Sequence, residues 1–376
     1  MSGFHHVALF EWNKDSCDNI KFNIQSGNRL VKGWNVYQKD VRSICYDDYS
    51  DKIQLVSGGP PCQPFSLGGK ALANNDKRDM FPEAVRAVRE LMPPVFIFEN
   101  VRGLLRKSFS KYFNYILLQL RYPEIEKKDN MTWEDHLSEL EKYHTSSCPK
   151  GLTYNVICRP LNAADYGVPQ NRQRVIIVGF RSDCNANWTF PRTTHSQEAL
   201  LYSKWISKTY WKEHDIPVPS EIPFNKSKLN LIERSVKSEE YPYQRWRTVR
   251  DAIGDLPDPI RSQRDHSVFN HEFRPGAKSY AGHSGSVMDE PSKTIKAGVH
   301  GVPGGENTVV LDDGTVRYYT VRESARIQTF PDNYLFNSSW TESMRQIGNA
   351  VPVKLANEVG KSIYLKMKEI LDENQT

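Results

Sequence analysis

Residues 83–100 read EAVRAVRELMPPVFIFEN, and this stretch decides the fold class. Four apolar residues of its first half share one face of a helix: Ala84, Val85, Val88 and Leu91. Pro93 and Pro94 end that helix, and the apolar run at residues 95–98 then has the composition of a buried strand. A helix that leads directly into a buried strand is the repeating unit of a parallel α/β sheet.

Short apolar runs alternate with amphipathic stretches on both sides of this unit. We predict further strands at residues 6–10, 34–37, 53–56, 154–159 and 174–180, and helices at 15–23, 319–328 and 355–371. This alternation predicts an α/β fold with a doubly wound, mostly parallel sheet and a smaller, irregular domain. Ligands of such sheets bind beyond the carboxyl ends of the strands, where Glu11, Ser57 and Glu99 stand in this sequence.

The composition limits the class of protein. The 376 residues carry 50 Lys and Arg against 45 Asp and Glu, and this excess permits a polyanionic partner without requiring one. No apolar run approaches the ~20 residues of a membrane helix, and the N-terminus has no signal-peptide pattern. The six cysteines form no CxxC pair, so we predict no metal site and a cytoplasmic location.

The loop after the strand at residues 53–56 reads SGGPPCQPFS at residues 57–66. Two glycines and three prolines impose an unusual backbone that fold stability alone rarely requires. Cys62 lies in this loop at a strand end, which makes it a candidate nucleophile. The alternative is a small buried apolar side chain, and this motif alone does not decide between the two.

Two other stretches carry candidate polar chemistry. Glu99 follows an apolar strand, so partial burial would raise its pKa and let it deliver a proton; the alternative is an acid at a helix N-terminus. In QNRQR at residues 170–174, alternation would bring Gln170, Arg172 and Arg174 to one side, facing an anionic or carbonyl-bearing ligand. The alternative there is a solvated strand end.

Taken together, these motifs resemble those of the DNA cytosine-5 methyltransferase family of bacterial restriction–modification systems. The match covers most of the chain in the family's own order. Further stretches that carry the resemblance are DKRDMF at residues 76–81, ENV at 99–101, LNAADYGVPQ at 161–170, RESARIQTFP at 322–331 and GNAVPV at 348–353. Met80 stands where the family usually has leucine.

The resemblance implies methyl transfer from S-adenosyl-L-methionine to carbon 5 of a cytosine that is flipped out of a specific duplex DNA sequence. The Cys62 thiolate would add to carbon 6, and Glu99 would hold a proton at ring N3. Arg174, with Arg172 behind it, would bind the ring carbonyl O2. The implied domains are residues 1–192 for catalysis and cofactor binding, 193–335 for target recognition, and 336–376 returning to the catalytic domain.

The resemblance also assigns binding residues. Those implied for the cofactor are Glu11, Trp12, Asp40, Val41, Pro60, Asn349 and Val351. Those implied for DNA are Gln63, Ser66, Lys70, Arg78, Gln170, Arg245, Arg247 and Lys293. Arginine mixed with aromatic residues at 241–250 suits phosphate contact and base stacking; the alternative is a basic surface strand anchored by a tryptophan. The expected state is a monomer, with a restriction endonuclease as functional partner.

One family motif is not found. The family's opening strand ends in a Phe-x-Gly-x-Gly turn roughly twenty residues before the equivalent of Glu11, close to the spacing of general nucleotide fingerprints. Only ten residues precede Glu11, and the glycine-rich residues 298–305 follow no clear strand, so the order is not permuted. A start codon assigned too late, a truncated gene or a split enzyme would each explain this, and we expect weak cofactor binding by these 376 residues alone.

Two alternative functions remain open from the sequence. One is a cytosine-5 methyltransferase acting on transfer RNA, against which the long region between the QNRQR and RESARIQTFP stretches favours DNA. The other is a catalytically inactive DNA-binding remnant, against which the three intact catalytic motifs argue.

Overall fold

The computed structural model describes residues 2–49, 53–61, 79–146, 150–238, 241–260, 267–278, 284–297 and 307–373. Five of the candidate site residues lie outside these ranges: Cys62, Gln63, Ser66, Lys70 and Arg78. None of the helices within the ranges combines the length and the apolar character that crossing a lipid bilayer requires.

Six strands lie in the first half of the chain. They are β1 (Leu9–Glu11), β2 (Val36–Gln38), β3 (Leu55–Gly58), β4 (Val95–Val101), β5 (Tyr154–Asn162) and β6 (Gln173–Arg181). The last four form one sheet in the order β3–β4–β6–β5, with β3 and β4 parallel. β6 runs antiparallel to both neighbours, because its connection to β5 is too short for the crossover helix that parallel pairing needs.

β1 and β2 form a separate, parallel two-stranded sheet. Phe10 of β1 and Val56 of β3 nevertheless pack against the same apolar cluster, which includes the buried residues Tyr46 and Leu91. The described residues supply no strand between β1 and β3, so each of these strands has one edge without a strand partner among them.

Helices cover both faces of the four-stranded sheet. The helices of the chain begin with α1 (Lys14–Gln25), α2 (Phe81–Leu91), α3 (Ser110–Arg121) and α4 (Trp133–His144). Residues of α2, α3 and α4 form one core with Phe96, Phe98 and Ile177 of the sheet. Val95 and Ile176 point to the opposite face. A long C-terminal helix covers that face. The prediction of an α/β fold is therefore confirmed, with both sheet faces buried.

The middle of the chain contains more helix than its sequence predicts. Four helices are present: α5 (Gln197–Trp205), α6 (Thr209–Glu213), α7 (Lys226–Val236) and α8 (Val249–Ile253). α5 buries Ser203 and Lys204 as well as apolar residues, so its sequence shows no amphipathic period. Short strands complete this region: β7 (His195–Ser196), β8 (Gln244–Arg245), β9 (Ser286–Val287), β10 (Thr308–Val310) and β11 (Val316–Tyr318).

Regular helices return near the C-terminus; the sequence predicts those at residues 319–328 and 355–371 but not the one between them. They are α9 (Val321–Ile327), α10 (Trp340–Asn349) and α11 (Val353–Glu373), and α11 is the helix that covers the second sheet face. α1 does not pack on the four-stranded sheet. Ile20 of α1 and the following Val31 join a third core with Val249, Tyr319 and Ile347. This core therefore links the first, middle and last parts of the chain.

Candidate active site

Glu99 and Arg174 form the centre of the candidate site. Glu99 lies on β4 and Arg174 at the start of β6, two positions apart in the antiparallel register, so their side chains share one face of the sheet. Arg174 Nε lies 2.7 Å from Glu99 Oε1, and the two side chains are only 12% and 18% exposed. The structure therefore brings together two of the residues that the sequence assigns to catalysis.

Burial dominates the electrostatics of this pair. Burial raises the pKa of the Glu99 carboxyl above its ordinary value, and the positive charges of Arg174 and Arg172 oppose part of that rise. Burial, together with repulsion from Arg174, lowers the pKa of Arg172 to about 9, so this guanidinium stays charged at neutral pH. A carboxyl in these surroundings can hold a proton that a solvated glutamate would release.

Asn100 connects this centre to the loop that leads to Cys62. Its side chain is 5% exposed, and its Nδ2 donates a hydrogen bond of 2.9 Å to the carbonyl of Pro60. A Cβ atom built on Gly59 would lie 3.4 Å from Glu99 Oε2, so the backbone before Cys62 runs close to the carboxylate. Cys62 itself lies outside the described residues.

The QNRQR stretch does not present three side chains to one ligand. β6 begins only at Gln173, and the preceding Gln170 forms an isolated β-bridge with Ser292 instead, so the alternation of β6 does not extend to residues 170–172. Gln170 and Arg172 are fully buried, with hydrogen bonds to internal partners. The expected convergence is therefore wrong for these two residues: Arg174 alone of the three pairs with Glu99.

The candidate cofactor residues Glu11 and Asp40 lie at one edge of the small sheet. Glu11 ends β1, Asp40 follows β2, and these strands are parallel. Glu11 Oε1 accepts a hydrogen bond of 2.7 Å from the backbone of Asn13, and the adjacent Trp12 is 72% exposed. Asp40 caps the short helix that begins at Val41, and hydrogen bonds from Arg42 lower the pKa of its carboxyl to about 2.

The GNAVPV stretch at residues 348–353, called the last motif below, begins at the end of α10, which approaches the same edge of the small sheet. Arg345 of α10 donates a hydrogen bond of 3.2 Å to Ser16, in the first turn of α1. The exposed Asn349 ends α10, and the half-buried Val351 follows it. An exposed indole beside a carboxylate at a strand end suits the stacked base and the ribose hydroxyls of a nucleoside. The residues present therefore fit the adenosine part of S-adenosyl-L-methionine.

The candidate DNA-binding residues occupy different environments. Arg245 is 14% exposed and pairs with Asp251 at 2.6 Å and with Glu213 at 2.8 Å, so a direct DNA contact would require it to leave both carboxylates. Arg247 is 49% exposed, and Lys293 is half-buried with its Nζ 3.3 Å from Ser284 Oγ. These two side chains are the better placed for a phosphate.

The aromatic residue of this stretch has a structural partner. Trp246 Nε1 donates a hydrogen bond of 3.0 Å to Asp165, and the indole packs against the cluster of Leu200, Tyr210 and Trp211. The alternative interpretation, a tryptophan that anchors a small core, therefore fits Trp246.

Two buried polar residues near the site are not singled out by the sequence. Asn100 lies inside the quoted ENV stretch, and Gln328 lies inside RESARIQTFP. Both are buried, and both bind backbone carbonyls of other motifs. Their only signal in the sequence is a polar amide inside an otherwise apolar or motif-bearing segment, which does not reveal its partners.

Comparisons with known proteins agree with this geometry. The family model described as C-5 cytosine-specific DNA methylase matches residues 1–122 and 127–365. The Type II methyltransferase M.NgoMIV of Neisseria gonorrhoeae is 31% identical over 98% of this chain and 93% of its own length. The Type II methyltransferase M.Eco47II of Escherichia coli is 30% identical over 98% of this chain and 76% of its own length.

Solved structures show the same fold at lower identity. One solved structure, from an E. coli prophage and described as a DNA modification methyltransferase, has a TM-score of 0.51 at 19% identity, and the match covers 98% of this chain and 94% of that one. The S. pombe Dnmt2 methyltransferase has a TM-score of 0.50 at 16% identity, with 97% and 91% covered. The overall architecture is thus shared with both.

Proposed function

Because this chain belongs to the C-5 cytosine-specific DNA methylase family, we propose that it methylates carbon 5 of a cytosine within a specific duplex DNA sequence. It would act as the modification enzyme of a restriction–modification system, since the curated relatives are named Type II methyltransferases. The observation that carries the proposal is the buried Glu99–Arg174 pair beside the backbone that leads to Cys62.

The chemistry follows from what an unreactive ring carbon needs. The Cys62 sulfur forms a bond to carbon 6, and the displaced ring electrons become available at carbon 5. Glu99 holds a proton at ring N3, and Arg174 donates hydrogen bonds to the carbonyl O2, so both stabilise the charge that builds on the ring. S-adenosyl-L-methionine, when bound, would supply the methyl group that carbon 5 accepts, and its S–CH3 bond would break to leave S-adenosylhomocysteine. Loss of the carbon 5 proton to solvent then breaks the bond to Cys62.

The target cytosine has to leave the duplex for this reaction. Carbon 6 and ring N3 are inaccessible to side chains in a stacked, paired base, so the base is flipped out at a cost of about a few kcal/mol. Lys70 in the loop after Cys62 and Arg247 in the middle region would hold the DNA backbone. Glu11 and Trp12 would bind the adenosine of the cofactor, and Asn349 would close the pocket from the other side.

Cofactor affinity is expected to be low in these 376 residues. Among the described residues no strand pairs with the free edges of β1 and β3, where the family's glycine turn would let the backbone approach the methionine part of the cofactor. We predict a Kd for S-adenosyl-L-methionine weaker than about 100 µM by isothermal titration calorimetry. Trp12→Ala should remove the remaining heat. Tight binding by the unmodified chain would refute this prediction.

Asn100→Ala tests how the nucleophile loop is positioned. Without the hydrogen bond to Pro60, the backbone before Cys62 loses its tie to β4, and we predict a kcat for methyl transfer about a hundredfold lower. The same substitution at Asn155, exposed on β5, is the matched control and should leave kcat unchanged. An Asn100→Ala enzyme with the parental kcat would show that this bond does not position the loop.

Methyl transfer from labelled S-adenosyl-L-methionine tests the proposed function as a whole. Fragmented duplex genomic DNA that lacks the modification and a pool of transfer RNA are offered separately at millimolar cofactor. We expect label in cytosine of the DNA and none in the RNA. Label in RNA alone would replace DNA by transfer RNA as the substrate, and label in neither would support an inactive remnant.

A further inference from the structure

Three fully buried polar side chains form a cluster next to the candidate site. Gln170, Arg172 and Gln328 each have no exposed surface. Burying amide and guanidinium groups is costly unless hydrogen bonds replace their contacts with water. The reaction outlined above assigns no chemical step to either glutamine. The contacts of these side chains therefore indicate what the cluster does.

One side of the cluster binds the backbone of Ile295. The Ile295 N–H donates a hydrogen bond of 3.1 Å to Gln170 Oε1, and its carbonyl accepts one of 2.9 Å from Arg172 Nη1. Both backbone polar groups of this residue are thus held by side chains. Lys293, a candidate for contact with the DNA backbone, lies two residues earlier on the same segment. The position of this segment is therefore set by Gln170 and Arg172.

The other side of the cluster binds the last motif. Gln328 Nε2 donates to the carbonyls of Ile347 and Ala350, at 2.6 and 3.1 Å. Arg172 Nη2 donates to the carbonyls of Gly348 and Ala350, at 2.6 and 3.0 Å. These carbonyls flank Asn349, one of the candidate cofactor residues. The cluster therefore holds the backbone on both sides of the cofactor pocket's last segment.

The two glutamines join these two sides directly. Gln170 Nε2 donates a hydrogen bond of 3.1 Å to Gln328 Oε1. Each amide also forms hydrogen bonds outside this pair. Gln170 Oε1 accepts one from the Ile295 N–H, and Gln328 Nε2 donates to the carbonyls of Ile347 and Ala350. Rotating either amide by half a turn would place donor against donor or acceptor against acceptor. The hydrogen-bonded pair of Gln170 and Gln328, called the relay below, is therefore satisfied in only one orientation of each amide. A displacement of one segment is thereby transmitted to the other.

A backbone contact supports the same connection independently. A Cβ atom built on Gly348 would lie 2.5 Å from the backbone N of Ala297 and 2.8 Å from its Cα. The segment at residues 292–297, which contains Lys293 and Ile295, therefore contacts the last motif backbone to backbone, next to the relay. Neither segment can move far without the other.

We propose that Gln170 and Gln328 are positioning residues that couple cofactor binding to DNA binding through their amide–amide hydrogen bond. The proposal rests on the proposed function, because it takes S-adenosyl-L-methionine and DNA as the two ligands. Cofactor that orders the last motif fixes Gln328, and Gln328 fixes Gln170 and the segment around Lys293. DNA that engages this segment orders the cofactor pocket by the same route, as linkage requires.

The test measures DNA affinity with and without the cofactor product. Fluorescence anisotropy gives the Kd of the 376-residue protein for a labelled duplex fragment of the genomic DNA that it methylates, in the absence and presence of millimolar S-adenosylhomocysteine. We expect the product to tighten DNA binding by about tenfold in the parental protein. In Gln328→Met and in Gln170→Met we expect this factor to fall below about twofold, and the double variant to lose no more than either single one.

A purely structural role predicts a different pattern. It would lower the melting temperature and weaken both affinities, but it would leave the ratio of the two Kd values unchanged. Gln197→Met, at an exposed position in the first turn of α5, is the matched control and should keep the parental ratio. Thermal unfolding identifies any variant that does not fold. If one of Gln170→Met and Gln328→Met fails to fold, the ratio of Kd values is measured in the other.

Two results overturn the proposal. One is a folded Gln328→Met or Gln170→Met protein that keeps the parental ratio. The other is a double variant that loses markedly more coupling than either single variant. Failure of the proposed function is distinguishable, because the parental protein would then transfer no methyl group to DNA in the assay of the preceding section.

Discussion

Glu99→Gln is expected to lower the rate of methyl transfer by about a thousandfold. Glutamine has the size of glutamate, but it cannot hold and return a proton at ring N3. The substitution also removes the negative charge that lies 2.7 Å from Arg174, which then has no buried counter-ion in this pair. Single-turnover kinetics with saturating DNA and cofactor measures the chemical step free of product release.

The pH dependence of the methyl-transfer rate tests the same role of Glu99. Because burial raises the pKa of Glu99, the protonated form persists to higher pH than in solvent. The rate of the parental protein should fall as the pH rises through that pKa, and this falling limb of the pH–rate profile should be absent in Glu99→Gln. Glu83→Gln is the matched control, since Glu83 also pairs with an arginine, Arg86, at 2.8 Å. A parental rate or pH limb in Glu99→Gln would contradict the assigned role.

Cys62→Ser is expected to abolish methyl transfer, with a loss of about four orders of magnitude or more. A serine hydroxyl stays protonated at neutral pH and is a far weaker nucleophile than a thiolate, so the bond to carbon 6 does not form. DNA affinity should stay within about threefold of the parental value, because one oxygen replaces one sulfur. Filter binding and the methyl-transfer assay together separate these two effects.

A second cysteine controls for the chemistry of the substitution itself. Cys45 is an exposed free cysteine, and Cys45→Ser should keep the full parental rate. Loss of activity in Cys45→Ser, or activity retained in Cys62→Ser, would remove the argument that position 62 carries the nucleophile.

The sequence predicts those parts of the fold that depend on local periodicity. The amphipathic stretch at residues 83–92 becomes α2, and the apolar run at 95–98 becomes the central β4. Glu99 follows from the same reasoning, because a carboxylate at the end of a buried strand is desolvated by the strand's own neighbours. Helices that are short or that bury polar residues escape such reasoning, and α5 is the clearest case.

Long-range polar contacts are the part that the sequence does not reveal. Gln170 and Gln328 are 158 positions apart, and their hydrogen bond depends on how the middle region docks on the last motif. Arg245 looks like a DNA ligand in the sequence, but Asp251 and Glu213 neutralise it in the structure. Periodicity describes which face of an element is buried; it does not identify the partner of a buried polar atom.

Covalent trapping on DNA that contains 5-fluorocytosine tests the central claim most directly. After attack by Cys62 and methylation, carbon 5 carries fluorine instead of hydrogen, and fluorine cannot leave as a cation, so the bond to carbon 6 does not break. With cofactor at millimolar concentration, we predict a denaturation-resistant protein–DNA adduct that peptide mass spectrometry places on Cys62. An adduct on another residue, or methylated DNA formed without any adduct, would contradict the account.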